Sequence, residues 1–471
     1  MVTQDPTVLD SYKIGLATVK ILNEGGRCRY IVEEPRLTKR QESIVDKIIV
    51  EERDLSKLSK QRVKKIVAKE FGKEDVDEEE IEELFYALRK RLTYGDITVL
   101  LDDPNVEEIE CRGPGYPITV VLRKSYPKCT RFFTNIVLNT EEEVRKVIEK
   151  LALRSDKPIN LMKPYLEFTL PEGHRVAATV SREISIPGST FDIRKFPKDN
   201  IALFDVIRNE TISPLLMAFL WYAIEFKPFI MILGYPGAGK TTLLNALLTL
   251  VNPDYKVLTI EDTPEIVIPN PHWVRFVVRQ SLEKSADVTM MDLTRLALRY
   301  RPDYLVIGEV RGKEIEALVH AAASGHGAFT TFHASNPRDV LVRVNTLLDP
   351  DIARLFLSTI TMFVVVSRVR VSDKITRKVM SIYEKKEEGG DVKFERTFYF
   401  DPQTNSFNVN DIDTLIDKSL FIKNLMSTGY SIDTIKREIA QRQEFIKSIV
   451  DSNVDKNNIL DMLYNFYGAS Q

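Results

Sequence analysis

The residues best suited to chemistry form a short glycine-rich stretch near the middle of the chain. The sequence GYPGAGKTT, residues 234–242, follows the apolar run FIMIL and precedes the helix-like LLNALLTL. Glycine weakens strands and helices alike, so the cluster indicates a backbone that turns sharply or approaches another molecule closely. The pattern G-x-x-x-x-G-K-[ST] between a strand and a helix is typical of a loop that wraps nucleotide phosphates.

This loop predicts specific contacts with phosphate and metal. Backbone N–H groups converge there with the positive end of the following helix. We expect Lys240 to reach the β- and γ-phosphates and the Thr241 hydroxyl to ligate magnesium. A chance match in a glycine-rich turn is the alternative, which the flanking strand and helix disfavour. The predicted nucleotide-binding residues are Gly234, Pro236, Gly237, Ala238, Gly239, Lys240, Thr241 and Thr242.

Two further apolar runs end in carboxylates. LVIGE ends at Glu309, and VLTIED ends at Glu261 and Asp262, with Glu265 close behind. Ligands of open α/β sheets bind at the carboxyl ends of the strands, so these acids are candidates for the same site. We expect Glu309 to orient or deprotonate the attacking water, and Glu261 to support magnesium or water. Which of the two is the main base stays open, and an ordinary strand-terminal glutamate is the alternative.

Two of the five histidines, His326 and His333, flank the short apolar segment GAFTTF. Their seven-residue separation does not match the spacing of zinc-binding HExxH motifs. We therefore predict a polar role near the γ-phosphate for both, in preference to a purely structural one.

The overall composition and charge imply no particular class of partner. The 471 residues include 44% hydrophobic and 28% charged residues, with a net charge of only −2, so binding of nucleic acid would need a local basic patch. The length predicts several domains. Cys28, Cys111 and Cys129 are widely spaced, which predicts reduced thiols in an intracellular protein rather than a disulfide framework or a zinc site.

One window has the length of a membrane span. Residues 214–233 read PLLMAFLWYAIEFKPFIMIL, but Glu225, Lys227 and Pro228 interrupt the middle. We interpret the two halves as a buried helix and a buried strand, and the N-terminus lacks the apolar core of a signal peptide. The sequence therefore predicts a soluble chain without an integral membrane segment.

The pattern along the chain predicts four regions. Residues 1–93 form an N-terminal region with a bundle of charged amphipathic helices from Lys39 to Leu92, and 197–202 is a linker. Residues 94–196 form a small α+β domain, in which one helix is surrounded by predicted strands. Residues 203–471 form a βα-alternating domain with an antiparallel extension after Phe363 and C-terminal helices from about Asn410. The strands predicted in the small domain are ITVLL, YPITVVLR, HRVAATVS and TFDIRKF.

Taken in order, these elements resemble the secretion (traffic) ATPase superfamily of type II secretion, type IV pili, conjugation-type type IV secretion and archaella. GYPGAGKT resembles its Walker A loop, TIEDTPE its Asp box and GHGAFTTFHA its His box. LVIGEVRGKE resembles its Walker B strand, with Gly308 where other ATPases have Asp. The combination is far more specific than any one motif and is strong from residue 158 to 345. YIVEEP, GSTFDIRKF and IEDTPE are most similar to the archaeal branch.

The resemblance implies an α/β fold: a RecA-like P-loop ATPase domain with an N-terminal helical region and a small α+β domain. It implies ATP and Mg²⁺ as cofactors, and a homohexamer with ATP between subunits. It also implies docking on a polytopic membrane platform protein at the inner face of the cell membrane, where a cytoplasmic motor would assemble pilin-like subunits. The arginines that match positions reaching phosphate are Arg175, Arg182 and Arg194, with Arg279 and Arg301 in the ATPase domain.

Rival functions share parts of this pattern. A RecA-like nucleic-acid motor would have the same loop but needs a basic, aromatic-rich channel, which the near-neutral charge does not support. A P-loop GTPase is disfavoured because no NKxD-type guanine motif is present, and a small-molecule kinase has no need of the charged helical front end. Intact Lys240, Thr241 and Glu309 argue against a ring subunit without hydrolytic activity.

Overall fold

A computed structural model describes residues 7–51, 59–71, 77–124, 126, 129–155, 157, 164–196, 202–279, 287–371, 374–451 and 458–469. The chain divides into two compact units, Met1–Lys198 and Asp199–Gln471. The predicted linker at 197–202 lies outside the described residues, apart from its last residue.

In the described part of the first unit, nine strands form one sheet in the order β1-β2-β3-β6-β5-β4-β9-β8-β7. Neighbours are antiparallel except for the parallel pair of β3 and β6. The sheet joins strands from both sides of residue 93, where the sequence predicted a division between regions. The strands are β1 (Thr7–Ile14), β2 (Ala17–Glu24), β3 (Arg27–Glu33), β4 (Val106–Cys111), β5 (Pro117–Leu122), β6 (Phe132–Val137), β7 (Tyr165–Thr169), β8 (Arg175–Thr179) and β9 (Thr190–Arg194).

The charged amphipathic helices expected from Lys39 to Leu92 are present, and their apolar faces share a small core that includes Ile44, Val63 and Leu84. ITVLL, predicted as a strand, is instead mostly helical. A short apolar run with every residue buried fits either structure, so periodicity alone could not decide. The helices of this unit are α1 (Lys39–Glu51), α2 (Lys60–Phe71), α3 (Glu78–Leu92), α4 (Thr98–Asp102) and α5 (Glu141–Leu153).

The structure corrects the prediction of reduced thiols at two positions. Cys28 and Cys129 form a disulfide, with their Cα atoms 5.8 Å apart although 101 residues separate them in sequence. Pairing of Arg29 with Phe133 in adjacent strands brings the two segments together. The spacing of cysteines in the sequence does not indicate which distant strands pair, so the disulfide could not be predicted from it.

The second unit is built on a mixed sheet with the order β12-β11-β13-β14-β10-β15-β16-β17-β18 among its described residues. The strands β12, β11, β13, β14, β10 and β15 pair in parallel with one another, whereas β16, β17 and β18 continue the sheet with antiparallel pairs. This antiparallel part is the extension that the sequence predicted after Phe363. They are β10 (Phe229–Leu233), β11 (Val257–Glu261), β12 (Trp273–Val277), β13 (Tyr304–Glu309), β14 (Gly327–Phe332), β15 (Ile360–Val371), β16 (Lys374–Glu388), β17 (Asp391–Asp401) and β18 (Ser406–Phe407).

Helices cover both faces of the parallel strands. Ile230 and Ile232 of β10 belong to one buried cluster, and Phe229, Met231 and Leu233 to another, because alternate residues of a strand point to opposite faces. The helices are α6 (Ala202–Arg208), α7 (Pro214–Ile224), α8 (Lys240–Thr249), α9 (Met290–Ala297), α10 (Ile315–Ala323), α11 (Pro337–Leu347), α12 (Pro350–Thr359), α13 (Ile412–Lys418), α14 (Leu420–Ser427), α15 (Ile432–Asp451) and α16 (Ile459–Ala469). The predicted α/β fold class is confirmed.

The apolar window at 214–233 consists of α7 and β10, as the sequence predicted. Trp221 of α7 packs against Phe445 of α15 and Phe466 of α16, with ring centroids 5.1 and 4.6 Å apart. Aromatic side chains of the C-terminal helices therefore pack against α7. Within the described residues, no helix combines the length and apolar character needed to cross a membrane.

Candidate nucleotide-binding site

The glycine-rich loop connects the buried strand β10 to α8, as the sequence predicts. Gly237 and Gly239 have φ angles of 70° and 98°, a region that other residues rarely adopt, and Gly239 caps α8. Tyr235, Pro236 and Gly237 are exposed, whereas Ala238 is buried. The loop therefore presents bare backbone at the N-terminus of a helix, an arrangement suited to anions.

Lys240 is the first residue of α8 and its side chain is largely buried. Its Nζ atom lies 3.5 Å from the carbonyl oxygen of Tyr235 and 3.3 Å from Nδ1 of His333. The ammonium group thus lies beside its own loop and next to the end of β14. The contact of Lys240 with phosphate stays a prediction.

Glu309 and His333 meet at the carboxyl edge of the sheet. Glu309 ends β13, and His333 follows β14, the neighbouring strand. His333 Nε2 contacts Glu309 Oε1 directly, and the Nε of Arg311 donates to Glu309 Oε2 at 3.0 Å. Lys240, His333, Glu309 and Arg311 therefore form one continuous polar chain beside the loop.

The pKa of His333 is lowered, which favours the neutral ring at pH 7. Partial burial is the main cause, and the positive charges of Lys240 and Arg311 act in the same direction against the opposing effect of Glu309. The pKa of Arg311 is raised, chiefly by its hydrogen bond to Glu309. A neutral His333 can accept from Lys240 at Nδ1 while donating to Glu309 at Nε2, which holds the carboxylate in place.

Glu261 is almost completely buried at the end of β11 and is engaged by its own chain. Its Oε1 accepts from the backbone N–H groups of Glu265 and Ile266 at 2.6 and 2.7 Å, and its Oε2 accepts from Arg275 Nε at 3.3 Å. Burial raises the pKa of Glu261 to about 7 despite these donors. A side chain at Gly308 would meet Glu261 Cγ at 3.2 Å, so glycine there leaves room for this glutamate.

The acid that reaches Thr241 is Glu265, which was not among the predicted metal ligands. Thr241 Oγ1 donates to Glu265 Oε2 at 3.1 Å, and Asn245 donates to the Glu265 backbone carbonyl at 3.1 Å. Magnesium prefers hydroxyl and carboxylate oxygens, so Thr241 and Glu265 fit this ion better than Thr241 and Glu261. The acidic stretch drew attention to the region, but the sequence could not show which acid folds back to α8.

His326 lies at the other edge of the sheet, contrary to the prediction that placed it near the γ-phosphate. It precedes β14, and its Nδ1 lies 3.1 Å from the carbonyl oxygen of Ala321. Six strand residues at about 3.3 Å each separate the two edges by roughly 20 Å. Residues that flank one parallel strand therefore lie at opposite edges, and only His333 joins the site.

The predicted phosphate-contacting arginines are dispersed. In the first unit, Arg175 on β8 pairs with Glu167 at 3.2 Å, Arg194 ends β9, and Arg182 is exposed. In the second unit, Arg279 forms an isolated backbone bridge with Val288, and Arg301 precedes β13 at the amino edge. The contacts of these arginines with phosphate stay predictions.

Two arginines that the sequence argument missed do contact the loop. The Nε atoms of Arg368 on β15 and Arg377 on β16 donate to the Gly237 carbonyl oxygen at 2.9 and 3.2 Å. The alternation RVRV was visible in the sequence, but its position beside the loop depends on how β15 pairs with β10. No local sequence pattern indicates that β15 pairs with β10.

Fold and site together define a RecA-like P-loop protein. Residues 127–398 match the family model described as type II/IV secretion system protein, which is more than half of the chain. The chain belongs to this family. The resemblance drawn from the four motifs is thereby confirmed.

Several proteins are similar to this chain. The uncharacterized protein MJ0900 of Methanocaldococcus jannaschii is 33% identical over 314 residues, covering 66% of this chain and 56% of the relative. VirB11 of Bartonella quintana is 27% identical, covering 50% and 78%. The crystal structure of the VirB11 ATPase from Brucella suis matches with a TM-score of 0.32 and 25% identity, covering 64% of this chain and 93% of that one. The chain spans about half the length of the first curated relatives it matches, 56% and 47%.

Proposed function

We propose that this protein is an ATPase that hydrolyses ATP with Mg²⁺ at the loop of residues 234–241. The observation that carries the proposal is the continuous contact from Lys240 through His333 to Glu309 at the carboxyl edge of the sheet. This arrangement combines a phosphate-binding cation with a carboxylate that can act on water, next to backbone amides suited to anions.

Each residue has a distinct task in the proposed reaction. The loop amides and Lys240 bind the polyphosphate and compensate its charge. Glu309 orients the attacking water or accepts its proton, and His333 fixes the position of the Glu309 carboxylate. Magnesium would be held by the oxygens of Thr241 and Glu265, and when bound it supplies charge stabilisation at the phosphoryl oxygens. Glu261 supports the Glu265 backbone through the two amide hydrogen bonds that it accepts.

We further propose that the protein works as a homohexamer that drives assembly of an archaeal type IV pilus-like filament or archaellum, or secretion. It would act at the cytoplasmic side of the membrane on a polytopic platform protein. Membership of the type II/IV secretion system protein family and the archaeal similarity of the motifs support this assignment. In such a ring, Arg175, Arg182 and Arg194 are the candidates for reaching ATP from a neighbouring subunit. ATPase activity that DNA stimulates in a salt-dependent manner would favour a nucleic-acid motor instead.

The proposal is tested by steady-state ATP hydrolysis of the purified chain with Mg²⁺ or EDTA, alongside Lys240→Ala and Lys227→Ala. Lys227 pairs with Asp303 at the amino edge, which makes it a matched control for loss of a lysine. We expect Mg²⁺-dependent turnover that Lys240→Ala abolishes and Lys227→Ala retains. Turnover that survives Lys240→Ala would contradict the assignment. Light scattering with and without nucleotide tests the hexamer separately.

A further inference from the structure

Asn245 lies on α8 one turn after Thr241 and belongs to none of the four sequence motifs. Residues four apart lie on the same face of a helix, so the two side chains project in the same direction. Thr241 Oγ1 donates to the Glu265 carboxylate, and Asn245 Nδ2 donates to the Glu265 backbone carbonyl, both at 3.1 Å. The helix that begins at the phosphate loop therefore holds Glu265 at two points, its side chain and its main chain.

Glu265 belongs to a segment that has no regular secondary structure. Residues 262–270 connect β11 to β12 and contain neither helix nor strand. The N–H and C=O groups of such a segment need partners other than those of a helix or a sheet. The Glu265 N–H donates to the Glu261 carboxylate at 2.6 Å, and the Glu265 C=O accepts from Asn245. Side chains of β11 and α8 thus hold the two peptide groups that flank the Glu265 side chain.

The Asn245 amide is buried with only one of its ends bonded. The residue is 7% exposed, and its Oδ1 has no hydrogen-bond partner among the residues that the structure describes. Only the NH2 end of the amide can bond to a carbonyl, so the contact with Glu265 fixes which way the amide faces. A buried acceptor without a donor lowers stability, and an apolar side chain of similar size would avoid that loss. The contribution of the amide is therefore its contact with Glu265 rather than the packing of α8.

We propose that Asn245 is a positioning residue of the magnesium site, which acts by holding the Glu265 carboxylate beside Thr241. The inference rests on the proposed function, in which oxygens of Thr241 and Glu265 hold the ion that accompanies ATP, and it deepens that assignment. Residues that orient a metal ligand change metal affinity by about 10- to 100-fold when they are lost. Because Asn245 acts through Glu265, its loss should change nucleotide binding only when the metal is present.

The test measures, by calorimetry, how the full-length chain binds an ATP analogue that resists hydrolysis, once with Mg²⁺ and once with EDTA. The ratio of the two Kd values reports the contribution of the metal and does not depend on turnover. Asn245→Leu removes the donor at similar size, and Asn245→Ala removes it without adding bulk. Thr249→Val is the matched control, because Thr249 is buried on the same helix and its hydroxyl donates at 2.8 Å to the Asn245 backbone carbonyl within α8.

We expect both Asn245 variants to bind the analogue with Mg²⁺ about 10-fold more weakly than the wild type, and with EDTA as tightly as the wild type. Thr249→Val should match the wild type under both conditions. Glu265→Ala should also weaken binding with Mg²⁺, and Asn245→Leu should add little to it, since the carboxylate that Asn245 positions is then absent. The melting temperature of every variant is measured without nucleotide.

The possible results separate this inference from the proposed function. If the wild type binds more tightly with Mg²⁺ and the Asn245 variants keep that difference, the positioning role is refuted and the ATPase assignment stands. Equal weakening with Mg²⁺ and with EDTA would also refute it, because Asn245 would then act on the fold as a whole. So would a full effect of Asn245→Leu in the Glu265→Ala background. If the wild type binds no analogue under either condition, both proposals fail.

Discussion

The two ends of β14 present the same residue type in opposite settings. His333, after the strand, touches Lys240 and Glu309. His326, before the strand, lies beside a carbonyl oxygen of its own preceding helix, α10. The difference shows that strand direction, rather than residue type or spacing, decides which polar side chains meet in a parallel sheet.

The carboxylates repeat this contrast. Glu309 at the carboxyl edge contacts His333, which lies 3.3 Å from Lys240. Asp303 at the amino edge accepts from Lys227 Nζ at 2.7 Å and from the Lys256 amide at 2.9 Å. The first arrangement connects a carboxylate through His333 to the lysine that begins α8. The contacts of Asp303 connect the starts of three strands, because Lys227, Lys256 and Asp303 precede β10, β11 and β13.

The largest difference between the two edges is expected when one acid at each edge is neutralised. Glu309→Gln should lower ATP turnover by on the order of 10²–10⁴-fold, since the amide cannot accept a proton from water, while ATP still binds. Asp303→Asn should retain turnover. Hydrolysis rates and ATP affinities of both variants check the prediction, and equal turnover of wild type and Glu309→Gln would place the base elsewhere.

The next largest expected effect is the pH dependence that Glu261 gives to the free energy of unfolding. Its pKa is about 7 in the folded chain because burial outweighs its donors, so the folded state keeps a proton that the unfolded state has released above pH 4.5. The free energy of unfolding of the wild type should therefore fall between about pH 4.5 and 7, by on the order of 3 kcal/mol. Glu261→Gln should lose this slope.

Denaturant unfolding across that pH range measures the difference. Asp262→Asn removes an exposed neighbouring acid and is the matched control, which should keep the wild-type slope. A Glu261→Gln slope equal to that of the wild type would show that Glu261 is already ionised in the folded protein.

A smaller effect compares the two histidines directly. His333→Ala should lower turnover about 10-fold, because Glu309 loses a hydrogen bond from a fixed donor. His326→Ala should leave turnover within experimental error of the wild type. Steady-state kinetics of the two variants test this, and the comparison of the edges is wrong if His326→Ala is the more impaired.

The smallest effect is expected at the amino edge. Partial burial would raise the pKa of Asp303, but the hydrogen bond from Lys227, the Lys256 amide and the charges of Lys227 and His326 lower it overall. A lowered pKa stabilises the fold above the unfolded value near 3.8, and this stabilisation disappears as the pH falls below it. Because Lys227 and Asp303 are about one-third exposed, Asp303→Asn should cost less than about 1 kcal/mol at pH 7. Unfolding measured from pH 7 downward through pH 3.8 checks the sign, and a loss that does not begin to shrink below pH 3.8 would contradict it.

Local patterns predicted the α/β fold, the loop between β10 and α8, and the antiparallel extension, because each depends on periodicity or on glycine and lysine at fixed spacing. Contacts that depend on strand pairing were missed. The disulfide of Cys28 with Cys129 and the arginines Arg368 and Arg377 all follow from which strands are neighbours.

The positions of the acids and histidines could be predicted only in part from the sequence. The sequence placed Glu309 at a strand end, and its contact with His333 follows from β13 and β14 being neighbours. It could not tell that Glu261 turns inward to two amides while Glu265 reaches Thr241, because that depends on the course of the loop after β11. It also treated His326 and His333 as equivalent, since a seven-residue spacing does not state which edge each one occupies.

The most direct measurement is an experimental structure of the full chain with Mg²⁺ and an ATP analogue that resists hydrolysis. The triphosphate should lie in the loop of residues 234–241, with Lys240 in contact with phosphate and with Glu309 and His333 closer to the γ-phosphate than any group of the amino edge. A nucleotide bound beside His326 and Asp303, or anywhere away from the loop, would contradict the account.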